Sequence, residues 1–408
     1  MSKNISQEAL GLEVGYSRSG IYQLESGNQS CPSNIQWAIK KALGVENIPF
    51  TEPERESFRD KLYFLYDLIS NNKLDEAKEE WDKLSVITHL PCDKELNALY
   101  NLFQVRSLLK QNDVETARTI LADLQSSMSE FDNELKHLYY INIGTLCCRD
   151  KKYKDGLDSY LKARELMTGG FEENQWLFYN IAYCLSKLGY VFSTITFIED
   201  NCNLRSNGQT TLPSFAMEHL LAKNYLKTNH IRKAKKLFTN CLEKARNEDD
   251  ELLIGLVLVD FSNLYRKCQD WGTALDYIDN AFCYLQKGST HYLEAFYQKI
   301  LCHIEMGNFP LSEALLKEGK ELAQNNKIYS ILFESLGHLI TLNEDKSMKY
   351  LEKVAITYFL GAYAKDTALD YCNILQEQYA KRGTLKKQLY VEKIIAGIYK
   401  DMLEGGLI

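Results

Sequence analysis

The chain has 408 residues, with 48 Lys+Arg against 55 Asp+Glu and a formal net charge of −7, which excludes a globally basic nucleic-acid coat. Its hydrophobic share of 45% is that of an ordinary soluble protein, and no apolar run is long enough to cross a bilayer. Residues 1–10 lack the apolar core of a signal peptide, so the expected compartment is the cytoplasm, with no membrane partner. Eleven cysteines are present without a C-x-x-C spacing. Most, such as Cys184, Cys241, Cys283 and Cys302, fall inside apolar helical patterns and read as reduced, buried thiols rather than metal ligands.

Residues 5–45 form a unit unlike the rest. A first short helix starts after Ser6, a candidate N-cap, and carries Leu10 and Val14 on its apolar face. Gly15 follows, where a left-handed residue would end it. Ser17 caps a second short helix, 18–24, with Ile21 and Leu24 inward. Pro32 and Ser33 open a third, with Ile35, Ile39 and Leu43 on its buried face. Helix, tight glycine turn and short helix is the helix-turn-helix layout.

Ile5-Ser6-Gln7, Leu10, Val14-Gly15, Ser17-Arg18-Ser19, Ile21, Leu24-Glu25-Ser26-Gly27, Pro32 and Leu43-Gly44-Val45 together resemble the phage-repressor-like helix-turn-helix domain. In that family the second helix of the motif enters the major groove. The resemblance therefore implies base or phosphate contacts for Gln7, Ser17, Arg18, Ser19, Tyr22, Gln23 and Asn28. Glu25 is expected to brace the fold, because a carboxylate beside phosphate is repelled. The family has one more helix ahead of this stretch. Residues 1–4 leave no room for it, and this implies weaker DNA binding than in an extended domain. Lys3, Arg18, Lys40 and Lys41 only balance Glu8, Glu13, Glu25 and Glu46, so little counterion release is available and a dimer on two half-sites is expected.

The expected domain runs over 1–48, with a proline-bearing linker at 49–54. From 55 to 405 the chain reads as stacked helix pairs. Leu62, Leu65 and Leu68 pair with Ala77, Trp81 and Leu84; 96–109 pairs with 114–124; 138–148 pairs with 153–167. The pairs continue as 176–188 with 192–198, 215–226 with 231–245, 252–265 with 271–285, and 292–304 with 309–322. After residue 327 the small residues fall out of phase, through 332–342, 348–359, 367–379 and a final capping helix at 385–402. Gly144 and Gly156, and the small-large-small set Ala234, Phe238 and Cys241, stand where helices would cross closely. The pattern resembles the tetratricopeptide repeat, with a period of about 34 residues. The expected fold class is thus all-α: a helix-turn-helix, then an α-solenoid of about nine tetratricopeptide-like pairs with a C-terminal cap.

No catalytic constellation is present. The histidines are scattered, and Walker, G-x-S-x-G and H-E-x-x-H motifs are lacking, so neither an enzyme nor a cofactor is expected. The informative surface is the inner face lined by the first helix of each pair. Alignment of the turns puts Asn142, Asn180 and Asp260 at one equivalent position, Tyr183, Lys223 and Asn263 three later, and Lys187, Lys227 and Lys267 at a third. Asn amides donate and accept, as a peptide backbone requires, and lysines at one end suit a carboxylate. Tyr179, His219 and Arg266 complete the candidate peptide-binding set.

A helix-turn-helix followed by about nine such pairs is similar to the peptide-pheromone regulators of Firmicutes, the group of Rap, NprR, PlcR and PrgX, and in domain order to NprR. The resemblance implies an imported short signalling peptide on the inner face, an operator DNA and a homodimer or higher oligomer. The alternative, also within the resemblance, is a protein-interaction scaffold that sequesters a response regulator or stimulates its dephosphorylation, its helix-turn-helix vestigial.

Overall fold

The computed structural model describes residues 5–43, 50–71, 73–85, 93–169, 174–201, 212–342, 344–362 and 364–404. The expected domain edge at 44–48, Pro49 of the linker and residue 405 lie outside the described residues. Among the described residues every regular element is helical. The chain divides into two compact units, Met1–Thr168 and Gly169–Ile408.

The first unit opens with α1 (Gln7–Val14), α2 (Arg18–Glu25) and α3 (Ser33–Ala42). Ser6 Oγ accepts from Ala9 N at 3.2 Å, Gly15 closes α1 at φ 68°, and Ser17 Oγ accepts from Gly20 N at 3.1 Å, so each expected signal acts where the sequence puts it. Leu10, Ile21 and Ala42 form a small core lined by Val14, Tyr16, Leu24, Ile39 and Leu43. Two glycines set its tightness. A Cβ on Gly11 would stand 2.5 Å from Tyr16 O, and one on Gly20 would strike the Tyr16 ring.

The chain then enters α4 (Glu52–Ser70), whose Thr51–Glu54 capping box begins inside the expected linker. Paired helices follow: α5 (Leu74–Ser85), α6 (Lys94–Lys110), α7 (Val114–Gln125), α8 (Asn133–Arg149) and α9 (Tyr153–Glu165). Their apolar stripes merge into one core around Leu62, Leu65, Leu102, Phe103, Ala117 and Leu121. Gly156 fulfils its expected role: a Cβ there would stand 3.2 Å from Gly144 O. Gly144 instead makes room for the Tyr160 ring, 2.6 Å from its would-be Cβ. An ion-pair ladder invisible to apolar periodicity links three first helices. Arg55 meets Asp93 at 2.8 Å and Glu95 at 2.5 Å, and Arg59 and Tyr63 both meet Glu134.

The second unit stacks α10 (Gln175–Lys187) with α11 (Val191–Asn201), α12 (Leu212–Lys227) with α13 (Ile231–Asn247), α14 (Glu251–Lys267) with α15 (Trp271–Ala281), and α16 (Thr290–Glu305) with α17 (Phe309–Leu322). Then come α18 (Lys327–Ile340), α19 (Asp345–Tyr350), α20 (Ile356–Gly361), α21 (Lys365–Lys381) and α22 (Leu385–Glu404). First helices pack on first helices, α10 on α12, α14 on α16 and α16 on α18. Ala234, Phe238 and Cys241 are fully buried, as their pattern requires.

Two expectations are revised. The helix expected at 348–359 is α19 and α20 joined by a π-helical turn, Leu351–Ala355. The wider turn shifts the phase of the side chains that follow it in the helix. α15 stops at Ala281, leaving Cys283 exposed and turning Leu285 onto Gly255, whose would-be Cβ lies 2.7 Å from Leu285 Cδ2. Among the described residues no helix is long and apolar enough to cross a membrane, and no group of His, Cys, Asp or Glu could hold a metal.

Candidate functional site

Among the described residues seven of the turns inside pairs are built one way. After α8, Lys151 takes the left-handed conformation at φ 60°, and Lys152 N reaches back to Cys147 O at 2.8 Å. Asn112, Gly189, Asn229, Gln269, Gly307 and Gly383 do the same in their pairs. Repetition of one turn holds the first helices of the second unit in register, so their polar residues gather on one face.

On that face Asp260 of α14 is buried, and both its oxygens are engaged: Oδ2 with His219 Nε2 at 2.6 Å and Oδ1 with Lys223 Nζ at 3.1 Å. Burial alone would raise its pKa. The Lys223 ammonium and the His219 hydrogen bond outweigh burial and hold the carboxyl down at about 2. Asp260 in turn raises the pKa of Lys223. A second network centres on Arg266, which donates to Gln298 Oε1 at 3.1 Å, Glu305 Oε1 at 2.6 Å and Asn263 Oδ1 at 3.1 Å. Gln298 donates to Glu294, which also accepts from the Tyr329 hydroxyl at 2.8 Å. Lys227 of α12 pairs with Asp366 of α21 at 2.6 Å. Lys267 donates to Leu226 O.

Lys187 is different. Its ammonium lies 5.4 Å from the centre of the Tyr183 ring and has no hydrogen-bond acceptor among the described residues. The side chain reaches solvent, yet protein crowds it on its other sides: desolvation, then Lys223 and Lys227, push its pKa down. An exposed ammonium that is still partly desolvated fits the inner face lined by the first helices, the candidate groove. Tyr179 stacks toward Tyr183 at 6.0 Å, and half-buried Asn180 beside it makes no side-chain hydrogen bond among the described residues. Asp370 of α21 also reaches solvent without a hydrogen-bonded partner among them, its pKa raised by desolvation against the pull of Arg266 and Lys267.

The sequence-derived residues therefore divide. Tyr179, Asn180, Tyr183 and Lys187 stand together on α10, and of these Asn180 and Lys187 keep polar groups available among the described residues. His219, Lys223, Asp260, Asn263 and Arg266 form the wall, held in place by one another. Asn142 requires a correction. It lies in the first unit, is buried, and donates from Nδ2 to Leu102 O at 2.8 Å, tying α8 to α6. Equivalent position in the repeat did not give equivalent exposure, because the neighbouring first helix packs over it. The roles of Glu294, Gln298, Asp366 and Asp370 went unread in the sequence, since each depends on contact across helices far apart in the chain.

On the N-terminal helices, Arg18, Ser19, Tyr22 and Gln23 are exposed along α2. Positions i, i+1, i+4 and i+5 share one helical face. Arg18 makes no ion pair among the described residues. The other three candidates are engaged locally: Gln7 donates to Glu25, Ser17 caps α2, and Asn28 donates to Ser26 Oγ at 3.0 Å. The contact with Gln7 gives Glu25 the bracing part expected of it.

No protein-family model matches the chain. Over 395 residues it is 22% identical to the transcriptional activator NprA of Geobacillus stearothermophilus, covering 92% of this chain and 96% of that protein. It is 24% identical over 356 residues to the regulatory protein RapD of Bacillus subtilis (strain 168), covering 84% of this chain and 98% of that one. A Rap protein complexed with competence and sporulation factor shares the fold at a TM-score of 0.74 and 14% identity, over 86% of this chain and 99% of that chain. NprR of B. thuringiensis in its apo form (TM-score 0.64, 19% identity) and NprR with its cognate peptide NprX (0.64, 18%) each match over 84% of this chain and 99% of their own. The tetratricopeptide-like solenoid is thus the fold of this chain, and these relatives and neighbours support its resemblance to the Rap/NprR-type regulators.

Proposed function

We propose that the chain is a peptide-responsive regulator whose second unit binds a short peptide in the polar groove and whose N-terminal helices bind double-stranded DNA as a homodimer. The observation that carries the reading is the contrast within the groove. Asp260, Arg266 and Lys227 have their charges neutralised by protein partners, while Asn180 and Lys187 keep polar groups available among aromatic rings. An extended peptide needs backbone partners to replace lost water, and the Asn180 amide supplies a donor and an acceptor. Lys187 suits its terminal carboxylate or an acidic side chain, and Asp370 suits a cationic group. Support from outside the chain is the NprA match and the binding of NprX by NprR. At α2, exposed Arg18 suits a guanine edge and Gln23 an adenine edge.

Affinity selection from a randomised pentapeptide library, read by mass spectrometry, tests the groove. Retained peptides are expected to be lost on Asn180→Ala, by roughly five- to a hundredfold, with little change in melting temperature. Equal retention by the variant would place the ligand elsewhere.

A second reading has its own support. RapD is a match of similar coverage, and charges on the N-terminal helices nearly balance. Under it the chain acts by holding a response regulator and its N-terminal helices do not read DNA. Gel-shift titration on operator candidates beside the gene, with and without selected peptide, separates the two readings.

A further inference from the structure

The second unit closes on itself, and one side chain ties two points of the seam. Lys365, the first residue of α21, donates from Nζ to Leu188 O at 2.9 Å and to Asp401 Oδ2 at 2.9 Å. Leu188 is the C-cap of α10, 177 residues away in sequence, where helix carbonyls lack intrahelical donors and the helix end is electronegative. The Lys365 stem runs against Gly189: a Cβ there would stand 2.8 Å from Lys365 Cδ, and its φ of +82° disfavours any other residue. The Tyr190 ring centre lies 5.9 Å from the ammonium. Two further contacts close the same seam. Asp366, the next residue, pairs with Lys227 at 2.6 Å, and α22 packs on α11. The last helix pair of the unit thus returns to the first.

We propose that Lys365 is a positioning residue, a clasp that holds the groove of the second unit closed and so sets how long a bound peptide stays. For its ligand the proposal rests on the peptide reading above; for the closure it does not. The clasp is linked to the groove by chain and by charge. Asp366 follows Lys365 directly and pairs with Lys227, and its charge also acts on Lys187. A ligand carboxylate arriving at Lys187 therefore meets the charge of Asp366 and acts on the residue adjoining the clasp. Two hydrogen bonds from one ammonium, one ion pair and one helix contact are a small fraction of the unit's packing, so this seam is expected to open before the helices unfold.

The test uses the full chain with Lys365→Met, which keeps the stem and removes the charge, and Lys365→Arg as the conservative variant. Hydrogen–deuterium exchange without ligand is expected to be about tenfold faster in Lys365→Met at residues 188–192 and 398–404, and largely restored by arginine. A pentapeptide selected from the randomised library is expected to dissociate about tenfold faster from Lys365→Met. Asp401→Asn, which removes one arm only, is expected to shift both readouts the same way by less, and it decides the matter if Lys365→Met does not fold. Unchanged exchange in these variants would overturn the closure. Faster exchange with unchanged dissociation would overturn the control of residence. A library from which the wild type retains nothing would overturn the peptide reading and the control of residence with it, leaving exchange alone to uphold or overturn the closure.

Discussion

Asp260 shows how one side chain can be structural and still belong to a site. Its carboxyl, held at about 2 by Lys223 and His219, lies below the ordinary aspartate value, so it contributes stability above about pH 4 that is lost as pH falls through about 2. Asp260→Asn is expected to destabilise the chain by about 2 kcal/mol at neutral pH and to flatten the acid limb of stability between about pH 4 and 2, read by denaturant titration across pH. Lys187 behaves in the opposite sense. Its ammonium pKa is lowered, so affinity for a peptide carboxylate is expected to fall at a lower pH than an ordinary lysine would give. Calorimetry of a selected peptide from neutral to alkaline pH checks this, with Lys187→Arg expected to hold its affinity across that range because guanidinium stays charged.

At the scale of elements, close backbone approaches and turns do the specifying. Gly11→Ala would drive a methyl onto Tyr16 O, an immovable backbone atom, and is expected to unfold α1–α3 while leaving the helix pairs intact. Loss of amide dispersion for residues 5–43 alone in NMR spectra is the measurement. The turn after α14 carries strain of another kind. Gln269 adopts φ 61°, a conformation that costs a side chain about 1–2 kcal/mol. Gln269→Gly is expected to raise stability by about 0.5–1 kcal/mol, part of the relief being offset by the freer unfolded chain. A denaturation midpoint shifted downward would show that the glutamine side chain compensates its backbone.

For the whole molecule, the proposed function requires two sites that can be removed separately. Arg18→Ala is expected to weaken operator binding by about 1–3 kcal/mol and to relax base preference while peptide affinity stays unchanged. Lys187→Gln is expected to weaken peptide binding while leaving basal DNA binding intact. Gel shifts and calorimetry on both variants make the comparison. If Lys187→Gln abolished DNA binding without peptide, the groove would be part of the fold's support and not a receiver of a signal.

The sequence by itself determined the helical class, most of the helix pairs as far as residue 281, and the capped N-terminal helices. Those features follow from local periods and caps: Ser17, Gly15 and the Ala234-Phe238-Cys241 spacing act through neighbours within a few residues along the chain. Tertiary structure decided which polar groups remain available. Asn142 and Asn180 hold the same place in the repeat, yet Leu102 O takes the first amide and nothing described takes the second. Lys187, Lys227 and Lys267 likewise share a position, and only the arrival of α21 gives Asp366 to Lys227 and leaves Lys187 without an acceptor. The clasp is the extreme case. A lysine and a carbonyl 177 residues apart carry no mutual signal in the sequence, because their meeting depends on the summed rotation of every helix pair between them.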